Sequence, residues 1–141
     1  MKYPFILKKD STGFLVTFPD IPEAITAGET KEEAMEMASD CLLSALEIYF
    51  EDRKRIPVPG LLQTNYVVEL APSMSLKISL VNEMHAQGIT RQELANRLNM
   101  KPQQVSRMLG SGHLITNVDV IAQCFRALGC EFKGLLVKGS K

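Results

Sequence analysis

The side chains of this 141-residue chain best suited to chemistry are Gln103, Gln104 and Arg107, and the chemistry is hydrogen bonding to the edges of nucleic-acid bases. A glutamine amide carries a donor and an acceptor side by side and matches adenine; a guanidinium matches guanine in the same two-pronged way. One such pair gives about 1–3 kcal/mol of discrimination between bases. With Ser106 they form the outer face of a short segment on which almost every side chain hydrogen-bonds and none is acidic, so phosphates are not repelled. A polar face that only meets solvent is the competing reading of this segment. No catalytic set rivals this face. Asp10 lies in a turn, Asp20 follows a proline and Asp40 sits on a helix, so nothing brings three carboxylates to one metal. No nucleophile with its base is found either, and the chain is read as not an enzyme.

The elements that must position these residues run through Ile89–Leu109, ITRQELANRLNMKPQQVSRML. Thr90 and Glu93 make a T-x-x-E capping box, and Leu94, Ala95 and Leu98 give the helix after it one apolar face. Asn99 and Met100 break the pattern. Pro102 restarts a helix at its first position, where a missing N–H costs nothing, and Val105, Met108 and Leu109 form its inner face. An earlier helix is expected over Ser75–Gln87, with Leu76, Leu80 and Met84 inward and Gly88 as its stop. A later one is capped by Asn117, turns Val118, Ile121, Cys124, Phe125 and Leu128 inward and stops at Gly129.

From Ser75 to Leu128 this arrangement resembles the helix-turn-helix of the Xre/Cro repressor family. The resemblance implies that the second helix of the pair enters the DNA major groove. It places Gln92, Lys101, Ser106 and Asn117 at the DNA backbone, in the turn and at helix N-termini. Lys101 departs from the family, which often has Ser or Thr there; the cap is weaker, and a cation is added beside the phosphates. A plain helical hairpin with a solvated polar face is the alternative. Beyond the last helix, Glu131–Lys138 reads as a strand through Phe132, Leu135, Leu136 and Val137, and His113 as a loop residue. A lone terminal strand needs a partner, expected to be its copy in a second subunit, because such repressors read paired half-sites as dimers. Gly139-Ser140-Lys141 is expected to be disordered.

Hydrophobic residues make up 45% of the chain, enough for packed cores in one domain or two small ones. No apolar run approaches the ~20 residues of a membrane span. The start, MKYPFILKKD, lacks the apolar length and cleavage site of a secretion signal, so no membrane partner and a cytoplasmic location are expected. Cys41, Cys124 and Cys130 are odd in number and lack C-x-x-C spacing, with only His85 and His113 to help. They are read as buried reduced thiols, and no metal or other cofactor is expected. The net charge of zero hides an asymmetry. Up to Pro72 there are 7 Lys and Arg against 12 Asp and Glu, a balance of −5; from Ser73 the counts are 9 and 4, a balance of +5. A basic half suits a polyanion and an acidic half suits a basic protein.

The acidic half opens with a strand over Lys2–Lys9, in which Tyr3, Phe5 and Leu7 alternate with Pro4, Ile6 and Lys8. Asp10–Gly13 makes a hairpin turn, Phe14–Phe18 a second strand and Ala24–Ala27 a short third one. Thr30 and Glu33 form another T-x-x-E box, and Glu29, Glu32 and Glu33 suit the positive end of the helix that follows. Ala34, Ala38, Cys41, Leu42, Ala45, Ile48 and Tyr49 set its apolar stripe, widened by Met35, Leu46 and Phe50, and it ends near Asp52. Tyr66–Leu70 gives one more strand, closed by Ala71-Pro72. The pattern is β-β-β-α-β, a small open sheet with a helix across one face.

The run Tyr3–Glu51 is similar to the N-terminal domain of the HicB antitoxins, above all in Phe18-Pro-Asp-Ile-Pro22, in Gly28-Glu29-Thr30 and in the alanine-rich helix start. With the helix-turn-helix behind it, the resemblance spans essentially the whole chain. It implies an α+β protein of two domains: a partial ribonuclease-H-like β-β-β-α-β unit over 1–72, and a helical DNA-binding and dimerisation unit with a terminal strand over 73–141. The implied partners are operator DNA and a HicA toxin, a small basic messenger-RNA endonuclease whose catalytic histidine an acidic domain could cover. Asp20, Glu23 and Glu29, in or just after the signature loop, are the acids expected to meet the toxin; solvated loop acids and helix-dipole partners are their alternative. A homodimer is expected, and the wide apolar surface of the long helix leaves pairing into a tetramer open. The rival function is a transcriptional repressor whose N-terminal part senses a small ligand.

Overall fold

Alternation of apolar and polar side chains makes Lys2–Lys9 extended, but Pro4 has no N–H to give to a ladder, and the strand changes partner just after it. In the computed structural model, which describes residues 1–110, 117–131, 133, 138 and 139, the single strand expected there is therefore two. These are β1 (Lys2–Pro4) and β2 (Ile6–Lys9), divided at Phe5. β1 pairs antiparallel with β5 (Val67–Glu69), and the Phe5 N–H donates to the Tyr66 carbonyl at 3.0 Å. β2 pairs with β3 (Phe14–Thr17), and β3 with β4 (Ile25–Gly28), both antiparallel. The turn between β2 and β3 is held by Asp10, whose Oδ1 accepts from the Thr12 and Gly13 N–H groups at 2.8 and 2.9 Å.

Helix α1 (Lys31–Glu51) starts at Thr30, whose Oγ1 accepts from the Glu33 N–H at 3.1 Å. The Glu33 carboxylate reaches back to the Glu29 N–H at 3.3 Å, one residue further than a capping box requires. Ala34, Ala38, Leu42, Ala45, Leu46 and Phe50 are buried, and the helix packs on β4, β3 and β5. Alanines at the start let the helix come close: a Cβ on Gly28 would lie 2.5 Å from the Ala34 nitrogen. The expected stripe is narrower than its sequence suggested. Ile48 is 54% and Met35 40% exposed, because the sheet is too small to cover both flanks of the helix.

Helix α2 (Pro72–Gln87) begins three residues before the expected Ser75. Pro72, expected to close the preceding unit, is instead the first residue of the helix, where its fixed φ is already helical. The inner face consists of Met74, Ile78, Leu80, Val81 and Met84, with Lys77 among them; Leu76, expected inside, is half-buried. Gly88 ends the helix at φ 65°, a left-handed conformation that costs glycine nothing. Then follow α3 (Arg91–Leu98), α4 (Pro102–Leu109) and α5 (Val118–Ala127), which packs on α2 and α3. Ile121, Cys124 and Leu128 are buried as expected, whereas Val118, the first residue of α5, is 42% exposed.

The buried side chains of both halves form one cluster, from Tyr3 to Leu128. Of the thiols only Cys124 is fully buried; Cys41 and Cys130 are half-buried, and all three are free. Among the described residues no helix is long and apolar enough to cross a membrane. The expected loop at His113, the hydrophobic positions of the Glu131–Lys138 strand and the terminal Ser140-Lys141 lie outside the described residues.

Candidate functional site

Two short helices meet through a three-residue turn. Thr90 caps α3 by accepting from the Glu93 N–H at 3.1 Å, and Leu94 and Ala95 are fully buried below it. Asn99, at φ 58°, turns the chain out of α3, and the Met100 N–H donates to the Ala95 carbonyl at 2.9 Å. Asparagine tolerates this left-handed geometry better than most residues. Helix α4 follows from Pro102, and burial of Val105 and Leu109 fixes its rotation.

That rotation turns Gln103 and Arg107 outward together, since residues four apart share a helix face. Both are exposed, as are Gln92 near the start of α3 and Lys101 in the turn. Gln104 is exposed too, but its Oε1 accepts from the Lys101 N–H at 3.0 Å. An ammonium cannot accept in return, so only this half of a capping box forms. Gln104 thus holds the helix start through its oxygen, and its amide nitrogen is left to donate to other acceptors. Ser106 is half-buried, set back from the Gln103–Arg107 stripe. Asn117 caps α5, accepting from the Asp119 N–H at 2.8 Å.

The three N-terminal acids are not one cluster. Asp20 is tied inward: its Oδ2 accepts from the Gly60 N–H at 3.0 Å and fastens the loop after α1 to the Phe18–Pro22 turn. Tyr3, buried nearby, has its phenol pushed up to about 12 by burial and then by the Asp20 charge. Both oxygens of Glu23 accept from the Tyr49 hydroxyl, at 2.9 and 2.8 Å. Glu29 is exposed at the far end of β4 from Glu23. A different acid, Asp40 on α1, lines the same groove as Glu23. Its signal in the sequence was the polar flank of the α1 stripe.

Side chains that sequence reasoning missed hold the helices to the end of α1. Lys77 Nζ donates to the Gly110 carbonyl at 2.8 Å and lies 4.6 Å from the centre of the Phe50 ring. Burial, then the charge of Arg91, brings this amine down to about 8, against an upward pull from Glu47. Arg91 donates to the Phe50 carbonyl at 2.9 Å, and His85 Nε2 lies 2.6 Å from the Arg53 carbonyl oxygen. Asn82 exchanges two hydrogen bonds with the Ile56 backbone, both 2.8 Å. The detectable signal was Lys77 itself, a cation at core spacing between Met74 and Val81.

Comparison with known proteins adds what geometry alone does not. Residues 2–79 match the family model described as the HicB-like antitoxin of bacterial toxin–antitoxin systems. The chain is 43% identical over 129 residues to antitoxin HicB 2 of Photorhabdus laumondii, covering 92% of this chain and 91% of that one. It is 40% identical over 139 residues to antitoxin HicB of Escherichia coli K12, covering 97% of this chain and all of the relative. Antitoxin HicB of Pseudomonas fluorescens is 33% identical over 112 residues, 78% of this chain and 76% of that one.

Proposed function

The chain belongs to the HicB-like antitoxin family, and from that premise we propose that it neutralises a HicA-type messenger-RNA endonuclease by direct binding and represses its own operon. In this reading α3 and α4 are a helix-turn-helix of the Xre/Cro kind, carried by residues 73–141 and working as a homodimer. α4 enters the major groove, where Gln103 and Arg107 read base edges and Gln104 steadies the helix start. Gln92, Lys101, Ser106 and Asn117 meet the DNA backbone. Residues 1–72, with a partial ribonuclease-H-like sheet, face the toxin through acids including Asp20, Glu23 and Glu29. Both partners place the protein in the cytoplasm. One observation carries the DNA half of the reading: an exposed Gln103–Arg107 stripe on a helix whose opposite face is locked by Val105 and Leu109.

The test is a fluorescence-anisotropy titration against the DNA upstream of the gene, at two salt concentrations and with scrambled DNA as competitor, since affinity without salt has no meaning. Competitor-resistant binding is expected. Arg107→Ala should lose about 1–3 kcal/mol of it and relax the preference at one base pair. An Arg107→Ala protein with unchanged affinity and sequence preference would remove α4 from the role of reader.

A small-ligand-sensing repressor is the second reading, and one observation favours it. A cleft of about 260 Å³, lined by Arg53, Met84, His85, Arg91 and Leu109, lies where the end of α1 meets the helices. If the product of the adjoining gene neither binds the protein nor alters its DNA affinity, this reading takes over.

A further inference from the structure

β4 is an outer strand: among the described residues it pairs with β3 alone. Open edges carry unpaired N–H and C=O groups, and proteins usually guard them with lysine, proline or a bulge. β4, reading Ile-Thr-Ala-Gly, has neither lysine nor proline. Beside it runs a groove of about 400 Å³ walled by α1. Its lining includes Ile25, 59% exposed, Met37, 40% exposed, and Ile48, 54% exposed, with Cys41 between them. Glu23 and Asp40 supply its charge, and no Lys or Arg is among the described lining residues. Ile48 has the spacing of a core residue and yet lies uncovered. Apolar surface gathered beside an open strand edge marks an interaction site.

We propose that this groove receives an extended apolar segment of the toxin bearing Lys or Arg, added as a strand along β4. The proposal rests on the antitoxin reading and locates its surface. Main-chain hydrogen bonds to β4 supply affinity, alternate apolar side chains cover Ile25, Met37 and Ile48, and the cations meet Glu23 and Asp40. Of the acids proposed to meet the toxin, Glu23 lines this groove, and Asp20 and Glu29 are not among its described lining residues. A second copy of the chain is a poorer occupant, because the same groove carries Glu23 and Asp40 and no Lys or Arg among its described lining residues to meet them.

The experiment titrates the purified product of the adjoining toxin gene into the wild type and into Asp40→Lys and Ile25→Glu, with circular dichroism to verify folding. Each variant should bind at least tenfold more weakly, and the Asp40→Lys deficit should shrink as salt rises. In the wild-type complex, amide exchange at residues 25–28 should slow. Should Ile25→Glu fail to fold, Asp40→Lys, on the exposed side of α1, carries the test. Undiminished binding by folded variants overturns the groove and leaves the antitoxin reading standing, whereas a wild type that does not bind overturns both. Unprotected β4 amides in the complex overturn strand addition. A molecular mass that halves in Ile25→Glu without toxin makes the groove a contact between copies and overturns the proposed occupant.

Discussion

Lys77 is the residue where charge and burial conflict most directly. It is 2% exposed, between the apolar Met74 and Val81, and is held by the Gly110 carbonyl and the face of Phe50. Its amine gives up a proton at about 8 in the folded protein, against an ordinary 10.5. Between those values the unfolded chain binds more protons than the native one, so this residue makes stability rise with pH across that window. Below about 8 both states are charged and the contribution is flat. Urea denaturation at a series of pH values should show this rise in the wild type, while Lys77→Met lacks it; identical slopes in the two proteins would count against a buried amine. Gln104 is a second example of divided duty. Its type suits a base edge, yet its oxygen serves the backbone of Lys101.

Among the elements, α1 shows how small residues set distance. Gly28, Ala34 and Ala38 let the helix lie close to β4, and a Cβ at Gly28 would meet backbone atoms of Ala34 and Glu33 that cannot step aside. Gly28→Ala should therefore lose about 1–3 kcal/mol of stability through overpacking. At Gly60 the nearest obstacle is the Asp20 side chain. Thermal denaturation should rank Gly60→Ala as the milder change, and the reverse order would mean that the α1–β4 contact is looser than described. Caps were readable because they are local: Thr30, Thr90 and Asn117 all accept from N–H groups within three residues. The break at Phe5 and the early start of α2 at Pro72 were not, since both depend on which strand or helix lies alongside.

On the scale of the molecule, the acidic and basic halves share one buried cluster. The end of α1 is gripped by Lys77 and Arg91 from the helices beyond position 72. Small proteins with one core usually unfold in a single step. Tyrosine fluorescence, which reports only the N-terminal half through Tyr3, Tyr49 and Tyr66, should therefore follow the same urea transition as far-UV circular dichroism. Two separated midpoints would make the halves independent. At the same junction Phe50, near the end of α1, and Gly110, at the end of α4, both contact Lys77.

The sequence by itself determined that the helices and most of the extended segments exist, the helix caps at Thr30, Thr90 and Asn117, the opposite charge of the two halves and the family. Each of these is written in neighbours a few residues apart or in composition, where spacing and side-chain type are enough. Only the tertiary structure decided that Lys77 is buried, that Asp20 is spent on Gly60 forty residues away, and that Glu23 and Asp40 come together beside an open strand edge. Those facts arise from segments distant in sequence that pack side by side, and the hydrogen bonds and burial they create have no local pattern to announce them.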